Sequence, residues 1–283
     1  MRIADDITAL LAQAHDGALP QRVRALHLPP ADPPDGKAGE FAALELESGA
    51  IGLCFLLLDD TLTSIAALAE AVQGVDAREM VGWWADAQAA AASPARAALG
   101  YAAVNALTRG VFDRAGFVPG RANNTIGGLD PQPGEAIGMV GLFPPLVRQV
   151  VERGARLTVL ELRADLAGER DGYRVTLQRE ALAPCTQVLS TSTVLLNHSF
   201  DGVRAACPSA RRFVLVGPGA GCPPDPLFAA GVSAIAGSWI ADPAALVRAI
   251  TTGAPWGSSV IKSLLTPEGY PGWATLLRRA SGG

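Results

Sequence analysis

The sequence predicts an α/β protein in two parts: an N-terminal α+β unit over residues 1–118 and a C-terminal parallel-sheet unit over residues 136–283, joined by a linker at 119–135. Three observations predict it. From Ala136 onward, short apolar runs alternate with helical stretches of ~10–15 residues, the pattern of βαβ units. Before residue 118 two strand-like runs lie next to each other and helices follow. Between the two parts, FVPGRANNTIGGLDPQPGE from Phe117 to Glu135 is rich in Gly, Pro and Asn and has no apolar period.

In the N-terminal unit, Ile3–Ala14 carries apolar residues at helical spacing. Glu40–Glu47 and Ala50–Leu58 read as strands around the Ser48-Gly49 turn, and Thr61–Val72 and Arg78–Ala92 read as helices. The best-marked helix begins at Ser93-Pro94, a favoured N-cap followed by a favoured first helical residue. It runs to Phe112 with Ala97, Tyr101 and Val104 on one face, and Gly100 and Ala102 permit close packing.

In the C-terminal unit, strands are expected at Ala136–Gly141, Arg156–Leu162, Thr186–Ser190, Arg212–Val216 and Val232–Ile240, with a short strand-like piece at Tyr173–Leu177. Helices are expected at Pro144–Arg153, with Gly154 as its cap, at Val194–Ala206 and Pro226–Ala230, and from Asp242-Pro243 to Thr251. In such a sheet, crossovers are right-handed and ligands bind at the carboxyl ends of the strands.

Composition excludes several classes. Of 283 residues, 49% are hydrophobic and 18% charged, which rules out a disordered chain. The net charge of −4 leaves no basic field for nucleic acid. Lys37 and Lys262 are the only lysines, and alanine is abundant, a bias of composition rather than a functional signal. The run Ile51–Leu58 ends at Asp59-Asp60, so neither it nor the alanine-rich stretch near Arg96 gives the ~20 apolar residues of a membrane span. The segment MRIADDITALL lacks the order of a signal peptide, so the expectation is a soluble cytoplasmic protein with no membrane partner. Cys54, Cys185, Cys207 and Cys222 form no CxxC pair and are expected to be unbridged. His15, His27 and His198 are scattered and give no zinc motif.

The chemistry-bearing residues collect at predicted strand ends. GMVGLFPP, Gly138–Pro145, opens a helix after a strand as a nucleotide loop does, but Pro144 and Pro145 remove donors that a pyrophosphate would want. Glu161 lies 20 residues after Gly141, where an acid holds a ribose in dinucleotide-binding folds; it reads equally as a solvated carboxylate beside Arg163. STSTVLLNHSFD contributes Thr191, Ser192, Asn197 and His198, with His198 the best-placed acid–base candidate. The loop GPGAGCPPDP supplies Gly217, Pro218 and Gly219, whose backbone suits close approach to a ligand. Trp239 either stacks on a ligand ring or packs. Asn105 matters only if its helix faces the C-terminal unit.

Taken together, AALGYAAVNAL at 97–107, IGMVGLFPPLV at 137–147, LTVLELR at 157–163, TSTVLLNHSFD at 191–201, VLVGPGAGCPPDPLFAAGV at 214–232 and AIAGSWIADP at 234–243 resemble the putative heavy-metal chelation family. The resemblance implies an enolase-N-terminal-like α+β domain followed by a Rossmann-like domain, with a site in the crevice between them and a role connected with metals or metal-binding small molecules. Asn105, Glu161, Thr191, Asn197, Gly217 and Pro218 match the family pattern. Ser192 and His198 stand where the family usually has glycines, and Gly219 where it usually has serine.

Three functions follow as alternatives. The first is a binding protein or enzyme of metal homeostasis, taking a small molecule or metal chelate. Glu161 and His198 would then be ligands to a divalent transition metal. The second is an S-adenosylmethionine or NAD enzyme using the Rossmann-like half. The third is a noncatalytic scaffold. A homodimer is the candidate assembly. On the first reading, Glu161 accepts from ligand hydroxyls or binds metal, Asn197 orients the ligand and His198 is an acid–base residue. Thr191 and the 217–219 backbone receive an anion. All of these groups are expected to converge in one crevice under Asn105.

Overall fold

The computed structural model describes residues 2–14, 21–32, 39–56, 61–122 and 126–282. His15, Lys37 and the strand end at Leu57 to Asp60 lie outside the described residues.

The N-terminal half opens with helix α1 (Ile3–Ala12). A three-stranded antiparallel meander follows: β1 (Val23–His27), β2 (Phe41–Leu46) and β3 (Ile51–Phe55). β2 and β3 turn at Ser48-Gly49 as the sequence predicts, with Gly49 at φ 86°. β1, Val-Arg-Ala-Leu-His, is a strand without an expected counterpart; it pairs with β2 through an irregular register after Val23. The long helix expected over Thr61–Val72 is only α2 (Thr61–Ser64) and a 3-10 turn at Ile65–Leu68.

The helix expected over Arg78–Ala92 is two, α3 (Ala77–Ala85) and α4 (Ala87–Ala92). Asp86 separates them, and its carboxylate accepts from the N–H groups of Gln88 and Ala89, starting a new helix. Then α5 (Pro94–Arg114) runs for 21 residues, almost entirely buried. Small residues let it meet both neighbours closely. A Cβ on Gly52 of β3 would lie 2.0 Å from the Ala102 carbonyl, and one on Gly100 would lie 2.5 Å from the Met80 carbonyl of α3.

The C-terminal half is a nine-stranded sheet. In chain order its elements are β4 (Gly120–Arg121), β5 (Ala136–Val140), α6 (Pro144–Glu152), β6 (Arg156–Leu160), β7 (Gly168–Arg170), β8 (Tyr173–Thr176), β9 (Gln187–Thr191), α7 (Thr193–Leu196), α8 (Phe200–Ala205), β10 (Arg212–Val216), α9 (Asp225–Ala229), β11 (Ala234–Ile240), α10 (Pro243–Thr252), β12 (Val260–Leu265) and α11 (Trp273–Ala280). The spatial order is β4-β12-β11-β10-β9-β5-β6-β8-β7. The six strands from β11 to β8 are parallel, as the alternating pattern predicts, while at the margins β12 pairs antiparallel with β11, β4 with β12, and β7 with β8. The strand order reverses between β5 and β9, which makes that pair the topological switch point.

The helix expected over Val194–Ala206 is interrupted. α7 stops at Leu196 and α8 starts at Phe200, because His198 adopts φ 58°, the left-handed region. This is where the family resemblance gives glycine, and the backbone explains that preference.

Beside a smaller cluster in which Ala43, Ile51 and Leu53 pack with Ile240, Leu246 and Ile250, the two halves share a large apolar cluster. It runs from Ile7, Leu44 and Trp84 through Tyr101 and Leu107 to Leu195, Phe200, Phe213 and Trp273. The indole N–H of Trp84 donates to the Leu195 carbonyl at 3.0 Å, and that of Trp273 to the Leu10 carbonyl at 2.9 Å. Among the described residues no helix is long and apolar enough to cross a membrane. All four cysteines are free and buried.

Candidate functional site

α5 lies against the loop after β10 and against β3. Where these elements and the ends of β11 and β12 meet, they leave a cavity of about 80 Å³. That is room for several waters or one small organic group. Asn105, Arg109, Pro218, Cys222, Ser238 and Trp239 are among its lining residues.

Asn105 is the centre of this site. It is 4% exposed, in the middle of an alanine-rich helix. Its amide nitrogen donates to two carbonyls, Leu53 at 2.9 Å and Gly219 at 3.2 Å. Two acceptors on one side fix which end of the amide is nitrogen. The oxygen Oδ1 is therefore left as a buried acceptor with no partner among the described residues. Gly221 keeps this amide accessible to the loop: a Cβ there would lie 3.2 Å from Oδ1.

One turn earlier on α5, the hydroxyl of Tyr101 is buried beside the Cys222 thiol and lacks a well-formed hydrogen bond. Burial holds the Tyr101 phenol well above its ordinary range and pushes the Cys222 thiol up to about 12, so both stay protonated. One turn later, Arg109 lies over the Trp239 ring at 3.8 Å, with Nη1 donating to the Ile240 carbonyl at 3.0 Å and Nε to Asp113 at 2.7 Å. Trp239 packs as well as lining the cavity: its ring stacks on Phe112 at 6.4 Å.

The loop from 217 to 224 is held from behind. The Tyr270 hydroxyl donates to Asp225 at 2.7 Å and the Trp273 backbone N–H donates to the same carboxylate at 3.1 Å. Gly217, at φ 143°, cannot be replaced without strain: a Cβ would lie 2.6 Å from the Ser192 hydroxyl oxygen.

By their contacts, the residues expected in one crevice fall into three groups, the first two adjoining through Ser192, whose hydroxyl lies beside Gly217. Asn105, Pro218 and Trp239 line the cavity, with Gly219 bonded to Asn105. Glu161 and Thr191 adjoin the 141–143 loop at the switch point. The Glu161 carboxylate accepts from the N–H of Leu142 at 3.0 Å and of Leu162 at 2.7 Å, so it braces that loop. Thr191 shares hydrogen bonds with Thr193 and lies 3.3 Å from where a Cβ on Gly141 would be.

Asn197 and His198 form the third group. The exposed Asn197 accepts from the Ser199 N–H and hydroxyl. The His198 ring stacks on Trp84 at 5.4 Å, with Nε2 buried and without a partner among the described residues. Burial lowers the His198 pKa, against a smaller opposing effect of the Trp84 backbone.

The expected pairing of Glu161 with His198 on a metal therefore meets a different geometry: one braces a loop at the sheet's end, the other lies on an indole. Among the described residues no group of three or more His, Cys, Asp or Glu could hold a metal ion. Sequence reasoning missed Arg109 and Cys222. The available signal was spacing: Tyr101, Asn105 and Arg109 recur every four residues on one helix face.

A family model for putative heavy-metal chelation, DUF364, matches residues 125–260. A protein of unknown function of that family from Desulfitobacterium hafniense is 19% identical with a TM-score of 0.68, covering 93% of this chain and 98% of its own. A second, from Pyrococcus horikoshii, is 18% identical with a TM-score of 0.64, covering 94% of this chain and 98% of its own. These likenesses establish the fold. No curated protein matches the chain. The ordered strand-end motifs, the shared fold and the model match agree: over residues 125–260 the chain is similar to the DUF364 family of putative heavy-metal chelation, and it shares that family's fold.

Proposed function

We propose that the protein binds a small molecule of metal handling, a metal chelate or a free chelator, in the cavity between α5 and the loops after β10 and β11. The observation that carries this reading is Asn105, a lining residue whose Oδ1 is a buried acceptor with no partner among the described residues. Leaving such an atom unsatisfied costs about 1–3 kcal/mol, which a ligand N–H or O–H would recover. The family description supplies the connection with metals.

A bare divalent ion does not fit these residues. The cavity is lined by neutral amide, hydroxyl and thiol groups and one arginine, and burial keeps the Cys222 thiol protonated. An ion would have to arrive with its own charged ligands.

The test is thermal unfolding of the full chain with zinc, nickel and copper salts, with the same ions as amino-acid complexes, and with the free ligands. The expected result is a rise in Tm with complex or free ligand that the simple salts do not give. Gly237→Val should abolish the rise. Gly237 lines the cavity on β11, and a Cβ there makes ordinary contacts, 3.4 Å to Ser263 Oγ at the nearest, so a side chain can start from this position and take up cavity space; a melting curve of the variant without ligand reports its folding separately. No rise with any probe, or a rise that survives Gly237→Val, would overturn the reading.

A further inference from the structure

We propose that the group entering this cavity is a short carboxylate bearing a hydroxyl or amine on the adjacent carbon. The proposal rests on the cavity being the ligand site, and it names the chemistry that the site would select.

The charge of the lining comes first. Arg109 is the one charged residue that lines the cavity, and no Asp or Glu faces it among the described residues. Asp113 takes the Arg109 Nε and the Ile240 carbonyl takes one Nη1 proton. The remaining N–H groups of the fork have no partner among the described residues. Asp113 already balances the Arg109 charge, so what the fork offers is its unused N–H donors: a cation or a molecule without an acceptor leaves them unused, and a carboxylate accepts from them. Planar carboxylate geometry suits the fork.

Asn105 sets the second requirement. Oδ1 can only accept, so the ligand must bring a donor. Asn105 and Arg109 are four residues apart on α5, so they share one face and are separated by about 6 Å along the axis. A donor that meets Asn105 and a carboxylate that meets Arg109 therefore approach one helix face. The 80 Å³ of space sets the scale of the ligand.

Arg109 already covers the Trp239 ring, so the site does not call for an aromatic ligand. A carboxylate with an adjacent hydroxyl or amine is also a two-point metal-binding group. It can close a five-membered ring on an ion, which ties the cavity's polarity to the family's description without any metal ligand from the protein.

The experiment is titration calorimetry on the full chain with glycolate, lactate and glycine. Acetate and propionate serve as anions lacking the donor, and lactamide as a donor lacking the anion. The expected result is binding of at least one hydroxy or amino acid, with acetate and lactamide at least about tenfold weaker, the scale of one lost charge-assisted bond. Arg109→Gln should weaken the acid about tenfold or more and leave lactamide unchanged, while Arg109→Lys retains part of the preference. Melting curves of both variants report folding separately.

Equal binding of acetate and glycolate, or an Arg109→Gln variant that binds the acid as the parent does, would overturn the proposal. If none of the acids binds while a metal complex still raises Tm in a Gly237→Val-sensitive way, the ligand class falls and the site stands. If no probe of any kind acts, both fall.

Discussion

The imidazole of His198, in the C-terminal half, stacks on the indole of Trp84, in the N-terminal half, with ring centroids 5.4 Å apart and planes 18° from parallel. The contact holds a non-glycine residue in a left-handed backbone conformation at φ 58°. It also makes His198 a sensor of acid, because burial disfavours the imidazolium. Below the ordinary value of 6.5 the unfolded chain binds a proton that the folded chain resists, so stability falls as pH drops from there toward the lower folded value.

His198→Gly should remove that part of the pH dependence. At neutral pH it should change stability by no more than about 1 kcal/mol, since relief of left-handed strain offsets loss of the ring contact. Denaturant melts between pH 5 and 7, taken about one unit apart, would show the flattened slope; an unchanged slope would assign the acid response elsewhere.

Asn105→Asp should behave in the opposite sense. The amide donates to Leu53 and Gly219 carbonyls, and only a protonated carboxyl can replace it. The folded pKa of the new acid is raised, so stability is present below the unfolded value and lost as pH rises. Relative to the parent, the variant should be weaker at pH 7 than at pH 4 by about 2 kcal/mol or more. Parallel melts at the two pH values are the check.

Gly52→Ala and Gly100→Ala should each cost about 3 kcal/mol or more. The added methyl would meet backbone at 2.0 Å and 2.5 Å, and a carbonyl cannot swing aside as a side chain can. Gly82→Ala, where a Cβ meets nothing within 4 Å on exposed α3 surface, should be neutral or stabilising by up to about 1 kcal/mol. Chemical denaturation of the three variants separates close packing from helix propensity.

Glu135→Gln should flatten acid unfolding. Burial alone would raise the Glu135 pKa, but hydrogen bonds from Thr186, the Gln132 N–H, Gln187 and Arg211 outweigh it and hold it below 4.5. This carboxylate's contribution is present above 4.5 and is lost as pH falls through the lower folded value. The parent should lose stability in that window and the variant less so, read by denaturant midpoints from pH 6 down to pH 3.

The parallel strands were legible because each is a short apolar run bounded by turn residues, as in Arg212–Val216. β12 was not, since Val-Ile-Lys-Ser-Leu-Leu at the sheet's margin carries a lysine and pairs antiparallel, a choice made by β11 rather than by its own sequence. The break at His198 was hidden because a histidine gives no sign of a left-handed backbone. In the site, Asn105 stood out as an amide amid alanines, and its meaning depended on the α5 face, which the structure turns toward the C-terminal half. The expectation for Glu161 rested on its place at a strand end. Its role is decided by two backbone N–H groups that only the folded loop brings within reach.

The large apolar cluster shared by the two halves has a thermodynamic consequence. Trp84, Tyr101 and Leu195 lie in one unbroken core, and the last helix is tied to the first through Trp273 and Leu10. Neither half can melt without uncovering the other's interior. Heat should therefore produce one calorimetric transition whose van't Hoff and measured enthalpies agree, and fragments cut in the 119–135 stretch would each be left with a hydrophobic wound where the other had been.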